Sequence, residues 1–488
     1  MKRNKKILLI TPPYHSGVVE SAGVWMNVGF VYLAGSLRAA GYEPIIYDAM
    51  SYWDGYEAIE RKIRDIDPAV VATTAFTAEI VDALKVLKLA KEVDNDIVTV
   101  IGNVHPTFCY EDILRDHSPY VDYIVRGEGE ITITELMDTV YTDGDPREVK
   151  GLAYRKDGEA VTTAPRGFIK DLDGLPTAWD LIDWPIYTYK PMKDSILAIV
   201  SSSRGCSQKC SFCSQQLFWN QCWRGRSPEN FVGELEHLRD TYGVSVVMLA
   251  DETPTQDRER WEEILDLLME RKVGVKLLME TRVDDIIRDE DIMWKYRDAL
   301  VDHIYVGVEA TSQDTLDKFK KNIKVEESKR ALDLINAYDI VSETSFVLGM
   351  PDDTPESMDR TLELAKYYNP DLAFFLAIAP WPYSEIYPEL QEFTVVDDYR
   401  RYNLVEPVVE PKNMTLKEVH EWLGKASREY YMYKMSTLKT MTERKRDFMV
   451  KVIHIIATSS YLAETMKGTG MPEAVRKMLG KLHAESHG

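Results

Sequence analysis

Short β-branched apolar runs alternate with helix-length amphipathic segments, in two separate series, and this constrains the chain more than any other feature. In the first series, residues 6–10, 44–48, 69–74, 97–101 and 121–125 are apolar and bounded by Pro, Gly or Asp, the pattern of strands buried on both faces. In one intervening segment, residues 81–92, Val81, Leu84 and Leu87 are spaced to line the apolar face of a helix. Five strands with helices between them predict a doubly wound, Rossmann-like parallel sheet over residues 1–150, with ligands at the carboxyl ends of the strands. The alternation lapses near residue 150. Residues 151–190, with Trp179, Trp184, Tyr187, Pro176 and Pro185, read as an extended connector packed on a neighbour. It resumes at 196–201, 245–250, 275–280, 303–308, 345–348 and 372–378. Six strand–helix units over 191–390 predict an incomplete parallel (β/α)6 barrel rather than a second open sheet. Residues 391–488 lose the strand pattern and read as a mostly helical domain.

Composition narrows the function. At 488 residues the chain exceeds what one core needs. Its 59 Lys/Arg against 80 Asp/Glu give a net charge of −21, which argues against nucleic acid as the main partner. Residues 412–488 run the other way, with 14 Lys/Arg against 8 Asp/Glu. They read either as a capping subdomain with solvated charges or as a basic segment receiving an acidic substrate or partner. Five cysteines make no disulfide scaffold. The apolar run at residues 7–10 is too short for a signal peptide, and the stretch 448–463 is interrupted by Lys451 and His454, so no membrane span is expected. The expectation is a soluble, cytoplasmic, multi-domain protein.

Three of the five cysteines fall within one octet, Cys206-Ser-Gln-Lys-Cys210-Ser-Phe-Cys213. Three thiolates on one loop suit a soft metal centre. A closed zinc site wants a fourth ligand, and neither Cys222 nor Cys109, which reads as a buried small hydrophobe, is an obvious one. An iron–sulfur cluster on three cysteines with one iron open fits the spacing better. This CxxxCxxC loop, following the first strand of a barrel-like series, resembles that of the radical S-adenosylmethionine (SAM) enzymes. The resemblance implies a [4Fe-4S] cluster held by Cys206, Cys210 and Cys213, with SAM on the open iron. It also implies that Asp251 and Glu252 in Leu249-Ala-Asp-Glu252 meet the methionine amino group, and that Glu280-Thr-Arg282 brings Arg282 to the SAM carboxylate. Glu309 would take the ribose hydroxyls, and Gly349 would let the backbone approach adenine. Each of these acids alone reads as readily as a helix cap.

The first sheet carries no GxGxxG. Its loops read Thr11-Pro-Pro-Tyr14-His15-Ser-Gly17, Thr73-Thr74-Ala-Phe-Thr77 and Gly102-Asn103-Val-His105-Pro-Thr-Phe108. His15 is either a cobalt ligand, since imidazole suits transition metals, or a polar loop residue. With the cysteine loop attached, the whole chain resembles the cobalamin-binding radical SAM proteins, from Leu8-Leu-Ile-Thr-Pro-Pro13 through Val125-Arg-Gly-Glu-Gly-Glu130 to Pro380-Trp-Pro-Tyr-Ser-Glu385. The DxHxxG signature of base-off cobalamin proteins is absent, because Tyr14-His-Ser-Gly17 places the glycine one residue early. His15 is the first candidate for the lower cobalt ligand and His105 the second, with Tyr14, Thr73, Thr74, Gly102 and Asn103 beside the corrin.

Within that class, Arg204-Gly-Cys206, Cys213-Ser-Gln215, Ala250-Asp-Glu-Thr-Pro-Thr255 and Lys324-Val-Glu-Glu327 resemble the anaerobic magnesium-protoporphyrin IX monomethyl ester cyclases. The chain is also similar to a methanogen enzyme that C-methylates a glutamine of methyl-coenzyme M reductase. The resemblance implies hydrogen abstraction from an unactivated sp3 carbon by a 5′-deoxyadenosyl radical, with an electron donor such as ferredoxin or flavodoxin. Methylation of a protein residue leads, the glutamine being the specific expectation. Tetrapyrrole cyclisation, with Phe374, Phe375, Trp381 and Tyr383 lining a cleft, is the alternative. A non-catalytic cobalamin and SAM sensor is a third reading, disfavoured by the intact cysteine loop.

Overall fold

A computed structural model describes residues 4–16 and 22–458; Gly17 and residues 459–488 of the expected tail lie outside them. The first sheet is built from β1 (Lys6–Thr11), β2 (Glu43–Asp48), β3 (Val70–Thr74), β4 (Val98–Gly102) and β5 (Tyr123–Val125), in spatial order 2-1-3-4-5 and parallel throughout. Ile7 to Ile10 are fully buried, as strands covered by helices on both faces must be. The sheet continues past residue 150, where the alternation lapses. A hairpin of β6 (Leu152–Lys156) and β7 (Glu159–Thr162) adds to β5 in antiparallel pairing. The segment over 81–92 is a helix, Ile80–Val93, but its buried face is Ile80, Ala83, Leu84, Leu87 and Ala90. Val81 points outward and is 37% exposed, because Ile80 takes the core position one residue earlier.

The second sheet begins with β8 (Leu197–Val200), followed by a two-stranded antiparallel ribbon of β9 (Ser203–Arg204) and β10 (Arg224–Gly225). It continues with β11 (Val246–Leu249), β12 (Lys276–Arg282), β13 (Val301–Gly307), β14 (Val341–Leu348) and β15 (Leu372–Ala377). These six main strands run parallel in chain order, β8 beside β11 and β15 at the far edge, an open (β/α)6 barrel. The helices between them follow local chemistry. In Pro228–Tyr242, Ser227 Oγ accepts from the Asn230 amide, proline fills the first turn, and Gly243 at φ 72° ends the helix. Phe231, Val232, Leu235 and Leu238 bury its inner face. Two long helices, Leu416–Thr437 and Glu443–Thr458, close the described chain, and the first opens on a Thr415–Glu418 capping box. The first packs against β15, its Tyr430 hydroxyl donating to the Pro370 carbonyl, and the second docks through Lys445, which donates to Asp371 at 2.7 Å and to Asn336 at 2.6 Å.

The carboxyl ends of the two sheets meet. Thr77, after β3, shares a 2.9 Å hydrogen bond with Tyr383, after β15. The Tyr187 hydroxyl donates to Asp48 at the end of β2 (2.8 Å), and Tyr52 to Asp183 (2.7 Å), tying the connector to the first sheet.

Candidate functional site

The three cysteines sit on the loop between β9 and β10, where the first parallel barrel strand has ended. Cys210 is buried, Cys206 and Cys213 partly so. Burial pushes the Cys213 thiol up to about 12, opposed by the backbone N–H of Gln215, which donates to its sulfur at 3.3 Å. Burial also raises Cys210, against the positive charges of Lys321 and Arg282. The loop holds its own shape. Ser211 donates to the Phe319 and Lys318 carbonyls at 2.9 and 2.8 Å, the Ser207 amide to Gln256 at 3.0 Å, and Thr253 to the Cys206 sulfur at 3.4 Å. Gly205 takes φ +89°, and a Cβ there would lie 2.0 Å from the Cys222 carbonyl oxygen, so only glycine lets the chain turn into the loop. The same contact gives Cys222 its place, through its backbone.

Among the described residues no three His, Cys, Asp or Glu side chains converge as ligands of a single ion must. A cubane cluster asks for a different arrangement. Each thiolate would bind a different iron, and Cys206, Cys210 and Cys213, held on one loop, are the residues that would take that cluster.

The acidic strand ends divide into different jobs. Asp251 is 2% exposed, and its oxygens accept from the Ser202 amide (2.7 Å) and the Ser202 and Ser203 hydroxyls (both 2.6 Å). It pins the segment leading into the cysteine loop. Glu252 accepts from the Gly205 amide at 2.9 Å and from Trp219 Nε1 at 2.5 Å. Arg282 is held by Asp284 (2.9 Å) and donates to the Lys321 carbonyl (3.0 Å). Glu309 sits at φ +65°, a strained conformation for a non-glycine residue, and forms a buried 2.8 Å ion pair with Lys321. A Cβ on Gly307 would meet both partners of that pair, at 2.5 and 2.6 Å. Gly349, at φ +82°, donates its amide to Asp353 at 2.9 Å.

Inside the barrel, residues alternate along each strand. Ala198, Val247, Met279, Ile304 and Phe375 pack outward into the main core. Their neighbours Ile199, Met248, Glu280, Tyr305, Glu343 and Phe374 stay accessible in mid-strand, so they line an open lumen. Glu280 lies two residues, roughly 7 Å, below Arg282 along β12.

In the first domain, the Thr73 hydroxyl is spent on the Ile10 carbonyl (2.8 Å), and Asn103, at φ +86°, donates to Thr74 (2.9 Å). The Ala75 amide donates to the Gly102 carbonyl (3.2 Å), and Tyr14 donates to the Arg400 carbonyl (2.8 Å). The His15 ring stacks on Trp53 with centroids 3.9 Å apart. His105 is 2% exposed, bonded through Nδ1 to Thr77 (3.1 Å), with Tyr399 edge-on at 5.1 Å. Burial lowers its pKa to about 4, so it is neutral. Cys109 is partly buried, and burial raises its thiol to about 12.

Sequence reasoning missed the joint between the domains. Arg204, two residues before Cys206, donates to Glu128 (2.8 Å) and Glu130 (2.6 Å) of the Arg126-Gly-Glu-Gly-Glu130 loop after β5. Arg224 reaches Glu128 at 2.9 Å and the Ile169 carbonyl at 2.5 Å, while the Ile169 amide donates to Glu128 at 2.7 Å. The two arginines pair across β9 and β10. The one available signal was a pair of glutamates in a loop with too few charges of opposite sign nearby in sequence.

Residues 14–137 match the B12 binding domain and residues 200–365 the radical SAM superfamily. The chain belongs to the cobalamin-dependent radical SAM enzymes, whose cofactors are a [4Fe-4S] cluster, SAM and cobalamin. Within that class it is 38% identical over 434 residues to the anaerobic magnesium-protoporphyrin IX monomethyl ester cyclase of Rubrivivax gelatinosus, covering 88% of this chain and 78% of that protein. It is 29% identical over 451 residues to an uncharacterized methyltransferase of Pyrococcus horikoshii, covering 91% and 96%. Its fold matches the cobalamin-dependent SAM radical enzyme OxsB, solved with aqua-cobalamin and SAM, at a TM-score of 0.70 and 16% identity, over 99% of this chain and 76% of that one. No described helix is long and apolar enough to cross a membrane.

Proposed function

We propose that this enzyme transfers a methyl group to an unactivated sp3 carbon, with a glutamine residue of methyl-coenzyme M reductase as its substrate. The observation that carries the reading is the meeting of the two sheets at their carboxyl ends, fastened by Glu128, Glu130, Arg204 and Arg224. That neighbourhood of the two strand-end edges, where both fold types take their ligands, supports chemistry shared between two cofactors. When bound there, the cluster supplies an electron, SAM the radical and the methyl group, and cobalamin the methyl carrier.

The chain's own residues hold and exclude. Cys206, Cys210 and Cys213 hold the cluster, and the Lys321–Glu309 pair and Gly349 border the SAM nucleoside. We assign the cobalt-facing role to His15, since Thr77, Tyr383 and Tyr399 enclose His105. Ile199, Met248 and Phe374 give the lumen apolar walls that keep water from a reactive radical. The basic segment 412–488 suits a protein substrate, and a ferredoxin or flavodoxin suits the electron supply.

The cyclase reading stands second, favoured by 38% identity to the Rubrivivax enzyme. Methyl-labelled SAM with anaerobically reconstituted enzyme and a low-potential reductant separates the two. S-adenosylhomocysteine and label on the cobalamin, beside 5′-deoxyadenosine, are expected for methyl transfer. Deoxyadenosine alone refutes it and puts tetrapyrrole cyclisation first.

A further inference from the structure

The turn that follows β2 closes on a residue ill suited to its backbone. The amides of Tyr52, Trp53 and Asp54 donate to the carbonyls of Asp48 (3.1 Å), Met50 (3.0 Å) and Ala49 (3.0 Å). The last two bonds are the paired closure that ends a helical turn, and the residue at that closure takes a positive φ. Glycine fills such a slot without steric cost, yet Trp53 occupies it at φ +57°. Burial does not explain the choice, because the Trp53 side chain is 66% exposed. A bulky residue in left-handed backbone, uncovered by the core, points to a use for its ring.

One contact accounts for that ring. The indole lies flat on the His15 imidazole, with centroids 3.9 Å apart and planes 5° from parallel. The turn beneath it is anchored at both ends: the Ser51 amide donates to Asp48 at 3.2 Å, and the Tyr52 hydroxyl to Asp183 at 2.7 Å. Trp53 is therefore a fixed platform. Because β2 and β3 flank β1, the turns after all three strands are neighbours. Phe76, in the turn after β3, is 44% exposed, so two uncovered aromatic side chains stand at the edge where a sheet of this kind takes its ligand.

Stacking holds an imidazole in a particular way. It uses the π face, whereas a ring nitrogen binds a metal through a lone pair lying in the ring plane. A metal-bound imidazole needs an outer partner to fix its orientation, ordinarily an acceptor on its second nitrogen. Pro13, two residues before His15, has no acceptor side chain, and the stack sets the ring plane without using either nitrogen.

We propose that Trp53 is the positioning residue of the cobalt site, its indole fixing the plane of the His15 ring so that an in-plane nitrogen binds cobalt. This rests on the assignment of His15 as the cobalt-facing residue and goes beyond it, by naming the side chain that aims the imidazole.

The test uses the full chain grown with 15N-histidine, loaded anaerobically with cluster and cobalamin, and reduced to cob(II)alamin. Electron paramagnetic resonance then reads the axial nitrogen: a 15N ligand splits each cobalt line into two, the 14N of the cofactor's own base into three. Doublets are expected in wild type and in Trp53→Phe, which keeps a flat ring. In Trp53→Gly the doublet share is expected to fall at least fivefold, with iron content unchanged and a urea midpoint no lower than that of wild type, since glycine suits φ +57°. Doublets at wild-type strength in Trp53→Gly overturn the proposal. So does a loss that comes with less iron or a lower midpoint, the mark of a merely structural role. Doublets absent from wild type, or surviving in His15→Ala, refute the His15 assignment and the role of Trp53 with it, by a signal distinct from failure of the Trp53 variants alone.

Discussion

Removing the Glu128 carboxylate should loosen the joint between the domains by a predictable amount. Its side chain is 4% exposed and serves three donors, Arg204 at 2.8 Å, Arg224 at 2.9 Å and the Ile169 amide at 2.7 Å. Glu128→Ala strands a buried guanidinium, worth about 3–5 kcal/mol when a buried pair is broken, and a buried amide, worth about 1–3 kcal/mol. Arg204 keeps Glu130 at 2.6 Å, so the lower end, about 4 kcal/mol, is expected. Arg224 does not recover, because its Nε and Nη2 already lack partners. Glu128→Gln keeps one acceptor oxygen and should lose only about 1–2 kcal/mol. A urea titration of the full chain, followed by tryptophan fluorescence, reads the difference. At a slope of about 3 kcal/mol per molar urea, the alanine variant's midpoint falls by roughly 1.3 M and the glutamine variant's by about half of that or less. A midpoint unchanged in Glu128→Ala, or equal losses in the two variants, refutes the reasoning. In the glutamine variant, SAM cleavage should persist while methyl transfer falls, because the joint sets the spacing between the two cofactor edges.

Changing Cys206, Cys210 and Cys213 together to Ala should abolish iron loading and reductive SAM cleavage and leave cobalamin bound; surviving cleavage would show the cluster assignment to be wrong. Cys222→Ala should keep its iron, since Cys222 acts through its carbonyl on Gly205, and a large loss of iron would make its sulfur a ligand. Gly205→Ala should cost at least about 1–3 kcal/mol through the φ +89° backbone and lower iron content, which a colorimetric iron assay measures. His105 is held neutral by burial, its pKa lowered from 6.5 to about 4. The unfolded chain binds its proton more readily in that window, so wild type loses up to about 3 kcal/mol on acidification from pH 6.5 to 4. His105→Gln should show a shallower decline, and parallel acid-unfolding curves would contradict the burial argument.

The strands of both sheets were legible because each is a short apolar run closed off by turn residues, and doubly covered strands leave that mark. The hairpin over 152–162 left none: three of the four β7 residues are exposed and the fourth half-buried, so its pattern reads as loop. The cysteine loop was legible as a spacing. The work done by Asp251 and Thr73 was not, since their partners Ser202, Ser203 and Ile10 are fixed only once the strands align. Glu128 and Arg204 stand 76 residues apart, and no local periodicity encodes a bond across that separation.

The joint also separates two kinds of electrostatics that are usually mixed. Its ion pairs are shielded from water, with Glu128, Glu130, Arg204 and Arg224 no more than 12% exposed, so added salt screens them little. The net charge of −21 acts beyond such contacts through solvent, where about 0.15 M salt already shortens the reach of exposed charges to roughly 8 Å. Ionic strength is therefore a clean dial for this enzyme: turning it changes how readily reductant and substrate arrive, while the gap across which the methyl group must travel keeps its length.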